Sequence, residues 1–260
     1  MVVNDKRYNK LNAKQLHILT LIYKFRFISI PLLTEYQNLK SQTTLLRNLK
    51  ILEEQGYIGR RFDLTFKIDR KPAYYYLAAK GIAVLKDDPR FDTGVLHSYY
   101  KNKNVSESFM QHSIDVLAVF NSIKKTLPDS FDIFSKSELA TFDDFPENKP
   151  DLFLRGKNEY FITLAHDVQP FIIRKRLAEY IAHSEEDGWG SGVYPTILFV
   201  FADSSSETRF LGYAKSALES AGIDSDELHI GATTLRALTK KPYTDSVWTF
   251  SDDANPKSLD

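Results

Sequence analysis

The chain has 260 residues, 43% of them hydrophobic, 26% charged and 13% aromatic, and its 34 Lys+Arg balance 34 Asp+Glu. This size and composition fit one large domain or two small ones with a packed core, and exclude collagen-like, coiled-coil and largely disordered chains. With no cysteine, disulfides, thiolate zinc sites, iron–sulfur clusters and cysteine nucleophiles are excluded together.

The longest apolar run, residues 196–202, is far short of the roughly 18 residues a membrane helix needs. The opening MVVNDKRYNK has no apolar core behind its basic residues, so neither a membrane partner nor a secretory signal is expected, and the expected location is the cytoplasm. The zero net charge is a sum of opposite halves. Residues 1–86 carry 16 Lys+Arg against 6 Asp+Glu, leaving 18 against 28 in residues 87–260. A basic module for a polyanionic partner, followed by an acidic module with another task, is the expectation.

Along the basic module, a first helix opens at Leu11 with Asn12 as cap and turns Leu16, Leu19, Ile22 and Tyr23 inward. After a break at 25–28, Ser29 and Pro31 start a short second helix, 31–38. A third helix is capped by Ser41, carries Leu45, Leu46, Leu49 and Leu52 inward, and ends at Gly56. Residues 57–62 and 73–77 read as strands separated by a charged stretch, and a fourth helix spans 78–86. This is the order of a winged helix-turn-helix. Leu49-x-x-Leu52-x-x-x-Gly56-Tyr57-Ile58 resembles the exit from that family's recognition helix, and Tyr76-Leu77-Ala78-Ala79-Lys80-Gly81 resembles its closing strand-to-helix phrase. With the leucines inward, Ser41, Gln42, Thr43, Thr44, Arg47, Asn48 and Lys50 are expected on or beside the outward face, where they can read base edges. Arg60, Arg61, Lys67, Arg70 and Lys71 fall on the wing or its flanks, where phosphate contacts require only charge and reach.

Residues 8–86 are thus expected to form a winged helix domain and residues 87–104 a polar linker. A long amphipathic helix at 105–125 serves either as a dimerisation element or as the first helix of the second domain, and its wide apolar face favours the second. The lone His112 on it reads as a hydrogen-bonded structural residue.

From Phe131 onward strand-like runs alternate with helices. They are a strand at 131–134, a hairpin of 151–155 and 159–165 about a Gly156-Lys157-Asn158 turn, and a helix at 172–183. A wholly apolar central strand follows at 195–202, then a helix from 207 to 221 stopped by Gly222, a short strand at 228–231 and a small helix at 234–238. Overall the fold class is α+β, an N-terminal winged helix followed by a C-terminal α/β sandwich over residues 105–260. That order, with Pro150-Asp151 opening the hairpin, resembles the PD-(D/E)xK nuclease fold. The resemblance implies an aspartate, then an acid and a lysine on the next strand, around a divalent metal. The second phrase fails here, since Ala165 stands at the acidic position and Asp167 where lysine belongs. A remnant metal or nuclease site would have to gather Asp151, Asp167 and Glu138, with Lys175 or Arg176 as the base.

The two halves together are similar to the replication-relaxation family of bacterial plasmids and mobile elements. The matching phrases are Pro150-Asp151, Ala165-His166-Asp167 and Arg176-Leu177-Ala178-Glu179-Tyr180. The resemblance implies DNA binding tied to plasmid replication, mobilisation or transcriptional control, with a relaxase or replication protein, or a second copy of the chain, as further partners. No phosphate-loop, dinucleotide, zincin or nucleophile-elbow motif occurs, so no cofactor is expected. Gly188-Trp189-Gly190-Ser191-Gly192 reads as a loop with an edge-of-core tryptophan, and residues 251–260 as a frayed end. The leading expectation is a sequence-specific double-stranded DNA-binding protein whose nuclease-like domain serves assembly. A divergent metal-dependent endonuclease and a protein-interaction scaffold that does not touch DNA stand as alternatives.

Overall fold

Asn12 starts the first helix as expected. Its side chain accepts the Gln15 amide at 2.9 Å while the Gln15 side chain accepts the Asn12 amide at 3.0 Å, a reciprocal capping box. The computed structural model describes residues 11–127, 131–186, 189–190, 192–224 and 226–259. The beginning of the expected winged domain at residues 8–10, Gly188 and Ser191 of the glycine-rich segment, and Asp260 lie outside the described residues. The protein is α+β, and the chain divides into two units with the boundary between Leu117 and Ala118.

In the first unit, α1 (Ala13–Phe25) buries Ile18, Leu19, Ile22 and Phe25. It is followed by β1 (Ile28–Ser29), α2 (Ile30–Tyr36), α3 (Thr43–Glu54), β2 (Ile58–Arg61), α4 (Leu64–Ile68), β3 (Tyr74–Leu77) and α5 (Ala79–Lys86). The strands form an antiparallel sheet in the order β1-β3-β2. Residues 25–28, read as a break, therefore lead into a strand. Two residues are too few to show a period of two, and only the pairing with Tyr74 and Tyr75 makes them one. The charged stretch between β2 and β3 holds α4, which Asp63 caps by accepting the Phe66 amide at 3.2 Å. Phe66 pins that helix by joining Phe27, Tyr74, Met110 and Ile114 in one buried cluster. Gly81 is required by close approach, since a Cβ there would stand 2.2 Å from the Tyr57 carbonyl oxygen.

Residues 87–104 are not a linker. They form α6 (Thr93–Ser98) and a 3-10 helix (Tyr99–Asn104), with Phe91, Leu96, Tyr99 and Asn102 buried. The Tyr99 hydroxyl donates to the Tyr23 carbonyl at 2.7 Å, and the Tyr23 hydroxyl accepts the Asp92 amide at 3.0 Å. Polar composition hid a few widely spaced apolar anchors.

α7 (Glu107–Thr126) contains the boundary between the units. The second unit holds β4 (Asp132–Ser135), a 3-10 turn (Glu138–Thr141), β5 (Leu152–Arg155), β6 (Glu159–Leu164) and α8 (Pro170–Glu185). Next come β7 (Thr196–Phe201), α9 (Ser204–Ala221), β8 (Ile230–Thr234), α10 (Leu235–Thr239) and β9 (Thr249–Phe250). Its six-stranded mixed sheet runs in sequence order, antiparallel from β4 to β6, parallel through β6, β7 and β8, and antiparallel again at β9. Alternate residues Phe161, Ile197, Phe199, Phe201, Ile230 and Ala232 meet Leu177, Tyr180, Phe210, Ala214 and Leu218 of α8 and α9 in one core. At the other end of the unit the Ser122 hydroxyl of α7 donates to the Leu238 carbonyl of α10.

Several boundaries differ from the reading of the sequence. α9 starts at Ser204 because Asp203 caps it through the Ser206 amide, so a serine run that reads as loop is helical. β8 is displaced to 230–234 by its parallel register with β7. The expected frayed end instead folds back, with a bridge between Trp248 and Lys257 and with Leu259 buried. Trp189 is an edge-of-core residue as expected, packed on Phe145, Phe153 and Phe161 with its indole donating to Glu159 at 2.6 Å. Among the described residues no helix is long and apolar enough to cross a membrane.

Leu45, Leu49 and Leu52 of α3 are buried but Leu46 is 45% exposed, which corrects its expected inward placement. Leu49→Ala is therefore expected to destabilise the first unit by about 2–5 kcal/mol, and Leu46→Ala by no more than about 0.5 kcal/mol. Urea denaturation of the two variants checks this.

Candidate nucleic-acid interface

The inward stripe of α3 is Leu45, Asn48, Leu49 and Leu52, spaced i, i+3, i+4 and i+7. Asn48 thus lies on the buried side, 6% exposed, and not on the outward face where it was expected. It lines a cleft of about 270 Å³ together with Ser41, Thr44, Lys14 and Lys40. The outward surface of α3 consists of Thr43, Thr44, Leu46, Arg47, Lys50 and Glu54, with Ser41 and Gln42 exposed just ahead of it.

The helix begins at Thr43 with Gln42 in the capping position, and neither residue nor Ser41 closes it in the expected way. Gln42 makes no side-chain cap bond; the Ser41 hydroxyl accepts the Thr43 amide at 3.3 Å and lies 3.0 Å from the Thr43 hydroxyl. First-turn amides and small polar side chains therefore face outward at the positive end of the helix dipole. Lys50 lies 3.8 Å from Glu54, an exposed pair worth about 0.3–0.5 kcal/mol, too little to hold it from another partner.

The five expected hairpin cations divide into two kinds. Arg60 is exposed, stacked 4.9 Å over the Phe62 ring, and Lys67 and Arg70 are exposed as well. Arg70 stands in the left-handed region at φ 53, directly after Asp69, the C-cap of α4. Arg61 donates to the Lys103 carbonyl at 2.7 Å. Lys71 lies 2.5 Å from Glu107 and 3.1 Å from Asp69, and these hold its ammonium well above its ordinary value, Glu107 first. Arg61 and Lys71 are thus engaged by partners within the unit. Arg60 and the end of α3 meet at Tyr75, whose phenol is pushed up by burial, pulled down by Arg60 and raised by Glu53. Gly59 pairs with Tyr76 and leaves room for its ring, since a Cβ there would stand 2.4 Å from it.

Lys14 and Lys40 are exposed cations the reading of the sequence missed. Lys40 directly precedes Ser41, so extending the recognition-helix phrase by one residue finds it. Lys14 lies a helix away and has no local signal. Arg26, counted among the basic residues, is consumed inside the unit. It donates to Asn102 at 2.8 Å between the Tyr99 and Phe109 rings, and burial lowers its pKa.

In the second unit the residues that a metal remnant would have to gather are not grouped among the described residues. Asp151 is buried, with one carboxylate oxygen accepting the Leu164 amide at 2.8 Å. Glu138 accepts the amide and hydroxyl of Ser135 at 2.8 and 3.1 Å. Asp167 is largely solvent-exposed 3.6 Å from His166, and Lys175 is exposed 3.7 Å from Glu179. No group of three or more metal-ligating side chains exists among the described residues. Lys136 interacts with Asp151. Lys136 is lowered chiefly by burial, with Asp151 opposing and Arg176 adding to the shift. Nearby, the Tyr180 hydroxyl lies 2.9 Å from the Thr163 hydroxyl and donates to the Asn148 carbonyl at 3.3 Å. With Ala165 in the core and one Asp151 oxygen spent on the backbone, these residues do not fit a nuclease metal, and they brace strand ends against α8. Compared with protein-family models, with curated proteins and with solved structures, the chain matches none.

Burial raises the phenols of Tyr180 and Tyr194 above their ordinary value of 10.0. Protons held more tightly in the folded state give stability that is full below pH 10 and falls as pH rises past it, when the unfolded chain ionises first. Tyr180→Phe is expected to flatten this alkaline loss, and Thr163→Val, which keeps the phenol, to leave it. Urea titrations between pH 8 and about 11 measure the slopes.

Proposed function

We propose that the chain is a sequence-specific double-stranded DNA-binding protein. In this reading the first unit is a winged helix that lays α3 in the major groove and carries β2, α4 and β3 as its wing. The observation that carries the proposal is the outward face of α3. Gln42, Thr43, Thr44 and Arg47 are exposed on its opening turns, the part of a recognition helix that meets base edges, and Arg47 has the fork that takes a guanine in two hydrogen bonds. Exposed Lys14, Lys40, Lys50, Arg60, Lys67 and Arg70 supply phosphate contacts from the same unit.

The second unit is proposed to be a PD-(D/E)xK-like domain without a catalytic set, used for assembly with a second copy or a replication or mobilisation protein. The strand order and the Asp151 opening of the hairpin support that likeness, and the spent Asp151 oxygen and exposed Asp167 argue against cleavage. A role in plasmid replication, mobilisation or transcriptional control rests on the family resemblance, and a cytoplasmic site of action on the composition of the chain. A protein-binding reading draws on Leu64 and Ile68, 71% and 72% exposed on one face of α4.

Fluorescence anisotropy with a duplex obtained by site selection, against a scrambled duplex, tests these roles. Arg47→Ala is expected to lose about 1–3 kcal/mol of discrimination between the two. Arg60→Ala and Arg70→Ala are expected to weaken both duplexes alike, and Lys71→Ala, already neutralised by Glu107 and Asp69, to change neither. Equal effects of all four contradict the assignment. Plasmid nicking with magnesium or manganese that Asp151→Ala abolishes would restore the nuclease reading.

A further inference from the structure

Residues 87–260 are acidic as a whole, with 18 Lys+Arg against 28 Asp+Glu, yet two of their arginines line one cavity. The cavity, of about 230 Å³, opens where β6 and β7 end and where α8 and α9 begin. Ala165 and Ala202, the residues directly after these two parallel strands, form part of its wall. The carboxyl ends of parallel strands, flanked by the opening turns of crossover helices, are where open α/β sheets hold ligands.

Its lining is divided chemically. Ile173, Phe201 and Phe210, all buried in the core cluster, and Val168, packed against it, make an apolar side. Arg174 and Arg209 make the cationic side, with the His166 ring, only 7% exposed, between strand end and helix. The Arg174 guanidinium lies 4.8 Å over the Tyr213 ring, which places a flat cation and a flat ring on one rim. The lining contains one carboxylate, Asp203, and it is already committed. It accepts the Ser206 amide at 2.9 Å and the Ser206 hydroxyl at 3.0 Å, and Arg209 offsets its charge. α8, by contrast, opens at Pro170 with no side-chain cap. Asp151 is not among the lining residues, whereas Ala165 and His166, which follow the β6 end that Asp151 bonds, are.

We propose that this cavity binds a small aromatic oxyanion, a single ring bearing one carboxylate or phosphate. Arg174 and Arg209 hold the oxyanion, and Phe201, Phe210 and Tyr213 contact the ring. Guanidinium forks match carboxylate and phosphate oxygens in pairs. The volume lies below the roughly 300–1,000 Å³ of sites for larger organic ligands, which limits the occupant to about one ring. The inference concerns the second unit alone and stands or falls independently of DNA binding.

Titration of the full chain with phenyl phosphate and with benzoate, followed by calorimetry and by amide NMR, tests the proposal and distinguishes the two headgroups. Inorganic phosphate and benzyl alcohol serve as probes that each lack one half. Saturable binding of at least one aryl oxyanion is expected, with shifts centred on Ile173, Ser206 and Tyr213. Arg174→Ala and Arg209→Ala, both at exposed positions, are each expected to weaken it about tenfold, and Arg174→Lys less, since it keeps the charge without the fork. The proposal is overturned by no saturable binding at about 10 mM probe, by shifts located elsewhere, or by binding unchanged in the double alanine variant. Inorganic phosphate binding as tightly as phenyl phosphate would reduce the site to a bare anion patch and also overturn it.

Discussion

The first unit depends on the way α3 is locked in rotation about its own axis. Leu45, Leu49 and Leu52 bury nearly all their surface, and at about 1.5–3 kcal/mol each they fix which side of the helix is left for solvent. Once they are seated, Thr43, Thr44 and Arg47 have no other direction to face. The buried Asn48 sharpens the point, because the stripe takes in a polar residue that composition alone would send outward. The three-stranded sheet and α4 then position Arg60, Lys67 and Arg70 on the same unit through backbone pairing and through Phe66.

Charge counting overstated the cationic surface and also mislocated part of it. Of the basic residues in the first 86 positions, Arg26, Arg61, Lys71 and Lys80 are tied to carbonyls, side-chain acceptors or carboxylates within the unit. Lys80 donates to the Gln55 carbonyl at 2.9 Å and so closes the end of α3. Such residues stabilise the scaffold and contribute little to an approaching polyanion. The exposed remainder includes Lys14 and Lys40, which line one cleft, and at a screening length of about 8–10 Å only charges that lie this close to one another reinforce a common potential.

Long periodic elements were legible in the sequence, namely α1 with its Asn12 cap, the inward leucines of α3 apart from Leu46, the hairpin about Gly156, and the apolar β7. Elements whose existence depends on a partner were not. β1 is a strand only because β3 pairs with it, β9 only because β8 does, and α6 only because Tyr23 and Tyr99 tie it down. The candidate site followed the same rule. Helical spacing gave the exposure of Gln42, Thr43, Thr44 and Arg47, whereas Lys103 and Glu107, the distant partners of Arg61 and Lys71, lie 42 and 36 residues away and leave no local trace. In the second unit, Asp151 opens the hairpin as its resemblance implied, but its function was set by the Leu164 amide and by Lys136, which sequence order does not bring together.

The proposed DNA binding rests on an exposed cationic face of the first unit meeting the phosphates of the duplex. The salt dependence of duplex affinity measures it most directly. With six or more phosphate contacts, affinity is expected to fall by roughly 10³-fold or more between 50 and 200 mM salt, with a linear slope in log–log form. An affinity that stays flat across that range, or no measurable binding at the low end, would contradict it.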